Sequence, residues 1–303
     1  SLFRPESLAR LFQGLRSRLP FARDVEVTME ANPGTVEHGR FDGYRDAGVN
    51  RVSLGAQSFG AGQLAALGRI HAADDTARAV GELQAAGLHE FNLDLMYALP
   101  EQGLDGARHD LDRALALGPT HLSHYQLTLE PGTVYYHRPP DLPDEDLADE
   151  MQQAAAQRLV AAGFRQYEVS AWARPGHECR HNLNYWRYGD YLGIGAGAHG
   201  KLTDAAGGTI LRTTKAKQPR EYLERTAARE AAGTVQAIPA AERPFEFMLN
   251  ALRLVEGFGL EAFESRTGLP AAAVIPTLEG LAGRGLMAAE PAAHWRPTAL
   301  GQR

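Results

Sequence analysis

The sequence predicts an α/β fold: a parallel sheet or barrel of βα units, followed by a smaller helical module with a β wing. Three observations predict it. Four strand-like segments recur at intervals of roughly 30 to 40 residues, each followed by a helical stretch. The helices between them stop on glycine, as in "YRDAGVN" and "LQAAGLHE", the expected helix end before a new strand. Residues 241–303 read as three short helices and a β wing ending "GLMAAEPAAHWRPT".

The chain opens on an amphipathic helix, with Pro5 near its first turn and Leu8, Leu11 and Leu15 on one face. The four strands are "DVEVTME" (24–30), "NRVSLGAQS" (50–58), "EFNLDLMYALP" (90–100) and "HLSHYQLTLEP" (121–131). A Pro-rich boundary, "HRPPDLPDEDL" (137–147), then leads to a helix near 144–162 and a strand "FRQYEVSAWA" (164–173). Domain limits are therefore expected at 1–140, 141–240 and 241–303. The last helix, about 271–284, offers only Arg284 as a base, which argues against a DNA-reading role.

Bulk properties narrow the class. With 303 residues, 44% hydrophobic and 22% charged, the chain has the composition of a globular protein with a sizeable core. A formal net charge of -6 argues against nucleic acid as a partner. The single cysteine, Cys179, excludes a disulfide framework within this chain and points to a reducing cytoplasm. No apolar run reaches the length of a membrane helix, and the start shows no secretory signal.

Alternation inside the strands carries more. Val25, Val27 and Met29 oppose Glu26, Thr28 and Glu30; Val52, Leu54 and Ala56 oppose Ser53, Gly55 and Gln57; Leu93 and Leu95 oppose Asn92 and Asp94. Parallel strands are normally apolar on both faces. One polar face, strand after strand, predicts a lumen that holds a polar ligand. Glu30, Gln57 and Asp94 lie toward the carboxyl ends of their strands, the rim at which α/β folds bind ligands.

Two motifs need weighing. "GAGAHG" (195–200) fits G-x-G-x-x-G, but "YGDYLGI" is a poor strand before it and "KLTDAAGG" a poor helix after it, so a dinucleotide site is rejected. Its glycines still allow close backbone approach to a ligand, which His199 would face. "ECRHNLNYW" (178–186) crowds Cys179, His181, Asn182, Tyr185 and Trp186 together. One thiol and one imidazole cannot enclose a metal alone. The segment is open to two readings, a hydrogen-bonded polar loop or an axial haem ligand with aromatic walls.

"EANPGT", "RVSLGAQSF", "LGRIHAADD", "NLDLMYALPEQ", "HLSHYQLTLEPGT" and "CRHNLNYWRYGDYLGIGAGAH" together resemble the radical S-adenosylmethionine (SAM) proteins related to oxygen-independent coproporphyrinogen III oxidase. The run His181-Asn182-x-x-Tyr185-Trp186 resembles the mark of the haem-chaperone branch, HemW. The resemblance implies a partial, TIM-like radical SAM barrel followed by a HemN-like, winged-helix-like C-terminal domain. It implies that Glu30, Gln57, Arg69 and Asp94 contact SAM. It implies that His181, Asn182, Tyr185 and Trp186 serve haem, with His181 as the expected iron ligand, while His199 stays a candidate ligand contact of the glycine-rich run.

Family members also carry Cys-x-x-x-Cys-x-x-Cys and a Gly-Gly-Gly-Thr-Pro-type strand end, neither of which is present here. The chain is therefore expected to be N-terminally truncated, with the ligands of a [4Fe–4S] cluster upstream. No radical chemistry is expected of it as it stands. The parent function implied is a haem chaperone that hands haem to acceptor proteins, membrane-associated ones included. The alternative is a porphyrinogen oxidase of the radical SAM type.

Overall fold

In the computed structural model, residues 3–34, 40–228, 230–291 and 293–302 are described. They form two compact units, one of residues 1–166 and 170–178, the other of 167–169 and 179–303. Thr35, the last residue of "EANPGT", lies outside the described residues.

The first unit alternates strands and helices. Helix α1 (Pro5–Arg16) takes Pro5 in its first turn. Then come β1 (Thr28–Ala31), α2 (Phe41–Ala47), β2 (Arg51–Gln57), α3 (Ala61–Ala66), α4 (Ala73–Ala85), β3 (Phe91–Tyr97), α5 (Leu104–Ala116) and β4 (His121–Gln126). A short α6 (Val134–His137) precedes α7 (Glu145–Ala161), whose first turn is capped by Asp144 accepting from Leu147 N at 2.8 Å. Strands β5 (Arg165–Glu168) and β6 (Ala171–Ala173) complete the sheet, in the order β1-β2-β3-β4-β6-β5. The first four strands run parallel in sequence order, and β6 pairs antiparallel with β4.

Several strand boundaries differ from the sequence expectation: the third and fourth strands end at Tyr97 and Gln126, short of 100 and 131, and two further differences have a visible cause. The first strand was expected from residue 24 but begins at Thr28. Asn50 explains this, because its side chain accepts from Val27 N and donates to Val25 O, each at 2.8 Å, in place of ladder bonds. The expected strand 164–173 is broken at Val169–Ser170. There, Ser170 O accepts from His124 N at 2.7 Å, while Val169 N donates to Arg253 O at 3.0 Å.

The apolar face of the parallel strands, with Val52, Leu54, Leu93, Leu95 and Leu122 all fully buried, packs with Leu83, Leu111 and Leu159 from the helices. Burial of this kind, at roughly 25 cal/mol per Å2 of apolar surface, is what fixes the strand register.

The second unit begins with α8 (Arg180–Trp186) and a three-stranded antiparallel sheet of β7 (His199–Asp204), β8 (Thr209–Lys215) and β9 (Gly233–Ala237), with α9 (Pro219–Ala227) between β8 and β9. Helices α10 (Arg243–Ala251), α11 (Leu260–Thr267) and α12 (Ile275–Gly283) follow, with β10 (Phe258–Gly259), β11 (Met287–Glu290) and β12 (His294–Pro297) as the small wing. Phe247 sits edge-on to Tyr188, Phe258 and Phe263 and forms the centre of this core. No helix among the described residues is long and apolar enough to cross a membrane.

His124, on β4, points to the helix side, stacks on Tyr97 at 4.6 Å and is buried. Burial lowers its pKa to about 4 from an ordinary value near 6.5. The folded state therefore holds this imidazole neutral. Its contribution is fully present above pH 6.5 and is lost as pH falls toward 4, by about 1.4 kcal/mol per pH unit. Chemical denaturation across that range should show the loss in the wild type and a flatter profile in His124→Leu. Parallel profiles for the two proteins would contradict the assignment.

Candidate functional site

The polar strand face carries a continuous hydrogen-bonded row. Register places Glu30 beside Ser53, Ser53 beside Asn92, and Asn92 beside His121. Asn92 is buried at its centre. Its Nδ2 donates to Ser53 Oγ at 2.9 Å and to Asp94 Oδ1 at 2.8 Å, and its Oδ1 accepts from His121 Nδ1 at 2.7 Å and Ser123 N at 2.9 Å. Ser53 Oγ in turn donates to Asp94 Oδ2 at 3.2 Å. Burial pushes the Asp94 carboxyl up. Hydrogen bonds from Asn92, Ser123 and Ser53, and the charge of Arg69, pull it back down.

At the carboxyl end of β2 the strand departs from simple alternation. One extra residue between Leu54 and Gln57 makes a bulge, and Gln57 adopts a left-handed φ of 66°. A non-glycine residue in that region is sparsely populated and costs energy that the surroundings must offset, a feature concentrated at functional sites. Gln57 Oε1 accepts from Tyr125 OH at 2.8 Å. Gly55 gives both amides room, since a Cβ there would lie 2.8 Å from Gln57 Nε2 and 3.0 Å from Asn32 Oδ1 and would push them aside. Asn32 Oδ1 accepts from an Arg69 guanidinium nitrogen at 3.0 Å, which carries Arg69 from the loop after α3 to the end of β1.

Tyr125 registers the whole group. Its pKa is pushed up to about 12, by burial first and then by the charge of Asp94; Glu30 adds to the rise, while Arg69 and the Gln57 hydrogen bond oppose it. Gln57 thus touches this phenol directly, and the charges of Asp94, Arg69 and Glu30 act on it. Asn32, Ser123 and Tyr125 belong to the same group and were not singled out from the sequence, and Asn92 was read there only as part of the polar face. The alternation His121-Ser123-Tyr125 was the signal that would have found two of them.

In the second unit, helix α8 carries the His181–Trp186 run. His181 lies against the Cys179 thiol, with Nδ1 3.1 Å and Nε2 3.5 Å from Sγ. Asn182 hydrogen-bonds Tyr167, whose pKa is raised by burial and by Cys179. Tyr185 sits edge-on to both His181, at 6.2 Å, and Tyr191, at 4.7 Å. Arg253 stacks over Trp186 at 4.3 Å, and the indole Nε1 of Trp186 is buried with no hydrogen-bond partner. Tyr185, Trp186 and Tyr191 line a cleft of about 840 Å3, which His199, Lys201 and Arg212 also face. His181 and Asn182 are not in that lining.

Comparison with known proteins fixes the family. The chain is 46% identical to the heme chaperone HemW of Escherichia coli over 302 residues, covering all of this chain and 78% of that protein. It is 48% identical to the heme chaperone HemW of Haemophilus influenzae over 274 residues, covering 90% of this chain and 70% of that one. This chain belongs to the HemW family. The model of the radical SAM superfamily matches residues 3–114, and that of the HemN C-terminal domain matches 238–303. The solved structure of the radical SAM enzyme coproporphyrinogen III oxidase (HemN) from E. coli superposes with a TM-score of 0.79 at 20% identity, over 99% of this chain and 72% of that one. This chain therefore has the expected mixed α/β radical SAM fold followed by a HemN-like C-terminal domain.

In this HemW-family chain the Asn92 row is a structural element as well as a rim. Asn92→Ala removes the acceptor of His121 Nδ1 and Ser123 N and the donor to Ser53 Oγ and Asp94 Oδ1 in a buried site, which should cost about 3 kcal/mol. Denaturant unfolding with an unchanged m-value checks it. A loss under about 0.5 kcal/mol, the range of a neutral surface change, would contradict the network.

Proposed function

We propose that this chain acts as a haem chaperone, holding haem in its second unit and SAM on the polar rim of its first, and passing haem to acceptor proteins. The observation that carries the reading is the aromatic cleft beside α8. Two residues of the His181–Trp186 run line it, in a chain that shares nearly half its residues with proteins named heme chaperones. Aromatic walls suit the face of a porphyrin, and an imidazole suits its iron. Phe245 and Leu249 also line the cleft and are 71% and 63% exposed, an apolar edge from which a macrocycle can leave toward an acceptor, whether soluble or membrane-associated. On this reading the protein works in the cytoplasm.

The rim of the first unit suits the charges of SAM. The Asp94 and Glu30 carboxylates are partners for its ammonium and sulfonium groups, the Arg69 guanidinium for its carboxylate, and Gln57 for a neutral polar edge. SAM bound there would supply a positively charged sulfonium. This chain's residues would orient it, and the hydrogen bonds of Asn92, Ser123 and Ser53 oppose the upward push of burial on Asp94. A [4Fe–4S] cluster does not fit the residues present, because it takes several thiolates and the chain has only Cys179. Its ligands would lie outside these 303 residues, and no step is assigned to it here.

Calorimetric titration with SAM should show saturable binding that weakens at least tenfold in Asp94→Ala or Arg69→Ala. Equal affinity in all three proteins counts against the rim. Titration with ferric haem should saturate near one equivalent and weaken in Trp186→Ala. Failure of the wild type to saturate would remove haem from the reading.

A further inference from the structure

We infer that the haem iron is taken by His199, from the β7 side of the cleft, and that Arg212 holds a propionate; this rests on the haem-binding reading above. His199 lines the cleft and is exposed, whereas His181 is turned onto the Cys179 thiol. The two imidazoles stand in different chemical positions. His181 has both ring nitrogens within 3.5 Å of sulfur. His199 has its Nδ1 3.4 Å from Thr214 Oγ1, its register partner on β8, and this leaves Nε2 for a ligand. A histidine ligand is commonly held in this way, with the second ring nitrogen hydrogen-bonded so that tautomer and ring plane are set.

The glycine-rich run gains a purpose here. Gly193 lies so close to β7 that a Cβ on it would come within 2.0 Å of His199 O, and a Cβ on Gly200 would meet Thr213 Oγ1 at 2.6 Å. Gly195 and Gly197 have φ of 103° and 73°, which side chains rarely adopt. The loop between α8 and β7 thus folds tightly onto the backbone that carries His199, and the aromatic wall of Tyr185 and Tyr191 faces the same cleft.

The cations in the cleft sort in the same way. Lys201 is 3% exposed and is held by Asp190 Oδ1 at 2.8 Å, by Tyr188 O at 3.1 Å and by Thr203 Oγ1 at 3.3 Å, so it cannot turn outward without leaving them. Arg212 pairs with Glu246 at 2.5 Å, yet 37% of its side chain remains exposed. A forked guanidinium has donors left for a second carboxylate. At about 840 Å3, the cleft lies within the range of small-molecule sites, roughly 300 to 1,000 Å3.

The test is a ferric haem titration of the whole chain, wild type against His199→Ala, His199→Gln and His181→Ala, reading the Soret position and the dissociation constant. His199 is exposed, so neither substitution there removes core packing. Both His199 variants should shift the Soret band and weaken binding by tenfold or more, and added imidazole should return the wild-type spectrum to His199→Ala. His181→Ala should keep the wild-type band. If His181→Ala shifts the band while His199→Ala keeps it, the assignment is wrong but haem binding by this chain stands. If the wild type fails to bind haem saturably, the haem-binding reading itself fails, and the assignment falls with it.

Discussion

The first unit depends on keeping one face of a buried parallel sheet polar. A carboxylate in such a place is costly unless its oxygens are met by donors. Asn92 meets that requirement. It offers both amide hydrogens to Ser53 and Asp94 and takes donors from His121 and Ser123, so three adjacent strands are tied across the face that carries the rim. With the row satisfied, Asp94 can stand at the rim partly exposed, its proton affinity set by a balance between burial and hydrogen bonds. The bulge before Gln57 then turns one further polar group toward Tyr125.

The second unit solves a different problem with different residues. Its core is aromatic and edge-on around Phe247, and the same density of rings continues outward into the cleft wall at Tyr185 and Tyr191. The buried Trp186 Nε1 without an acceptor is the unsatisfied element of that wall. An unmade hydrogen bond of that kind costs about 1–3 kcal/mol.

The fold was largely legible because its signals are local. Glycine stops such as Gly48 and Gly87, Pro5 at a helix start and the alternation of Leu93 and Leu95 with Asn92 and Asp94 each act within a few residues. Glu30, Gln57 and Asp94 could be read as rim residues for the same reason. Three things were not legible, and the first two involve partners distant in sequence. The late start of β1 follows from the Asn50 side chain, and the break at Val169–Ser170 from bonds to Arg253 and His124. The separation of His181 from the cleft follows from the turn that sets Cys179 against its ring. Spacing along the chain put His181 with Tyr185 and Trp186. The structure keeps His181 edge-on to Tyr185 and also against the Cys179 sulfur, while His199, from a strand 13 residues beyond Trp186, lines the cleft.

On the proposed reading, the polar rim of the first unit and the aromatic cleft of the second are two separate ligand sites, for SAM and for haem. A crystal structure of this chain grown with SAM and ferric haem tests it most directly. The account predicts SAM against Glu30, Gln57, Arg69 and Asp94, and haem in the cleft between the Tyr185–Tyr191 wall and β7. Haem elsewhere on the chain, or SAM away from the Asp94 rim, would contradict it.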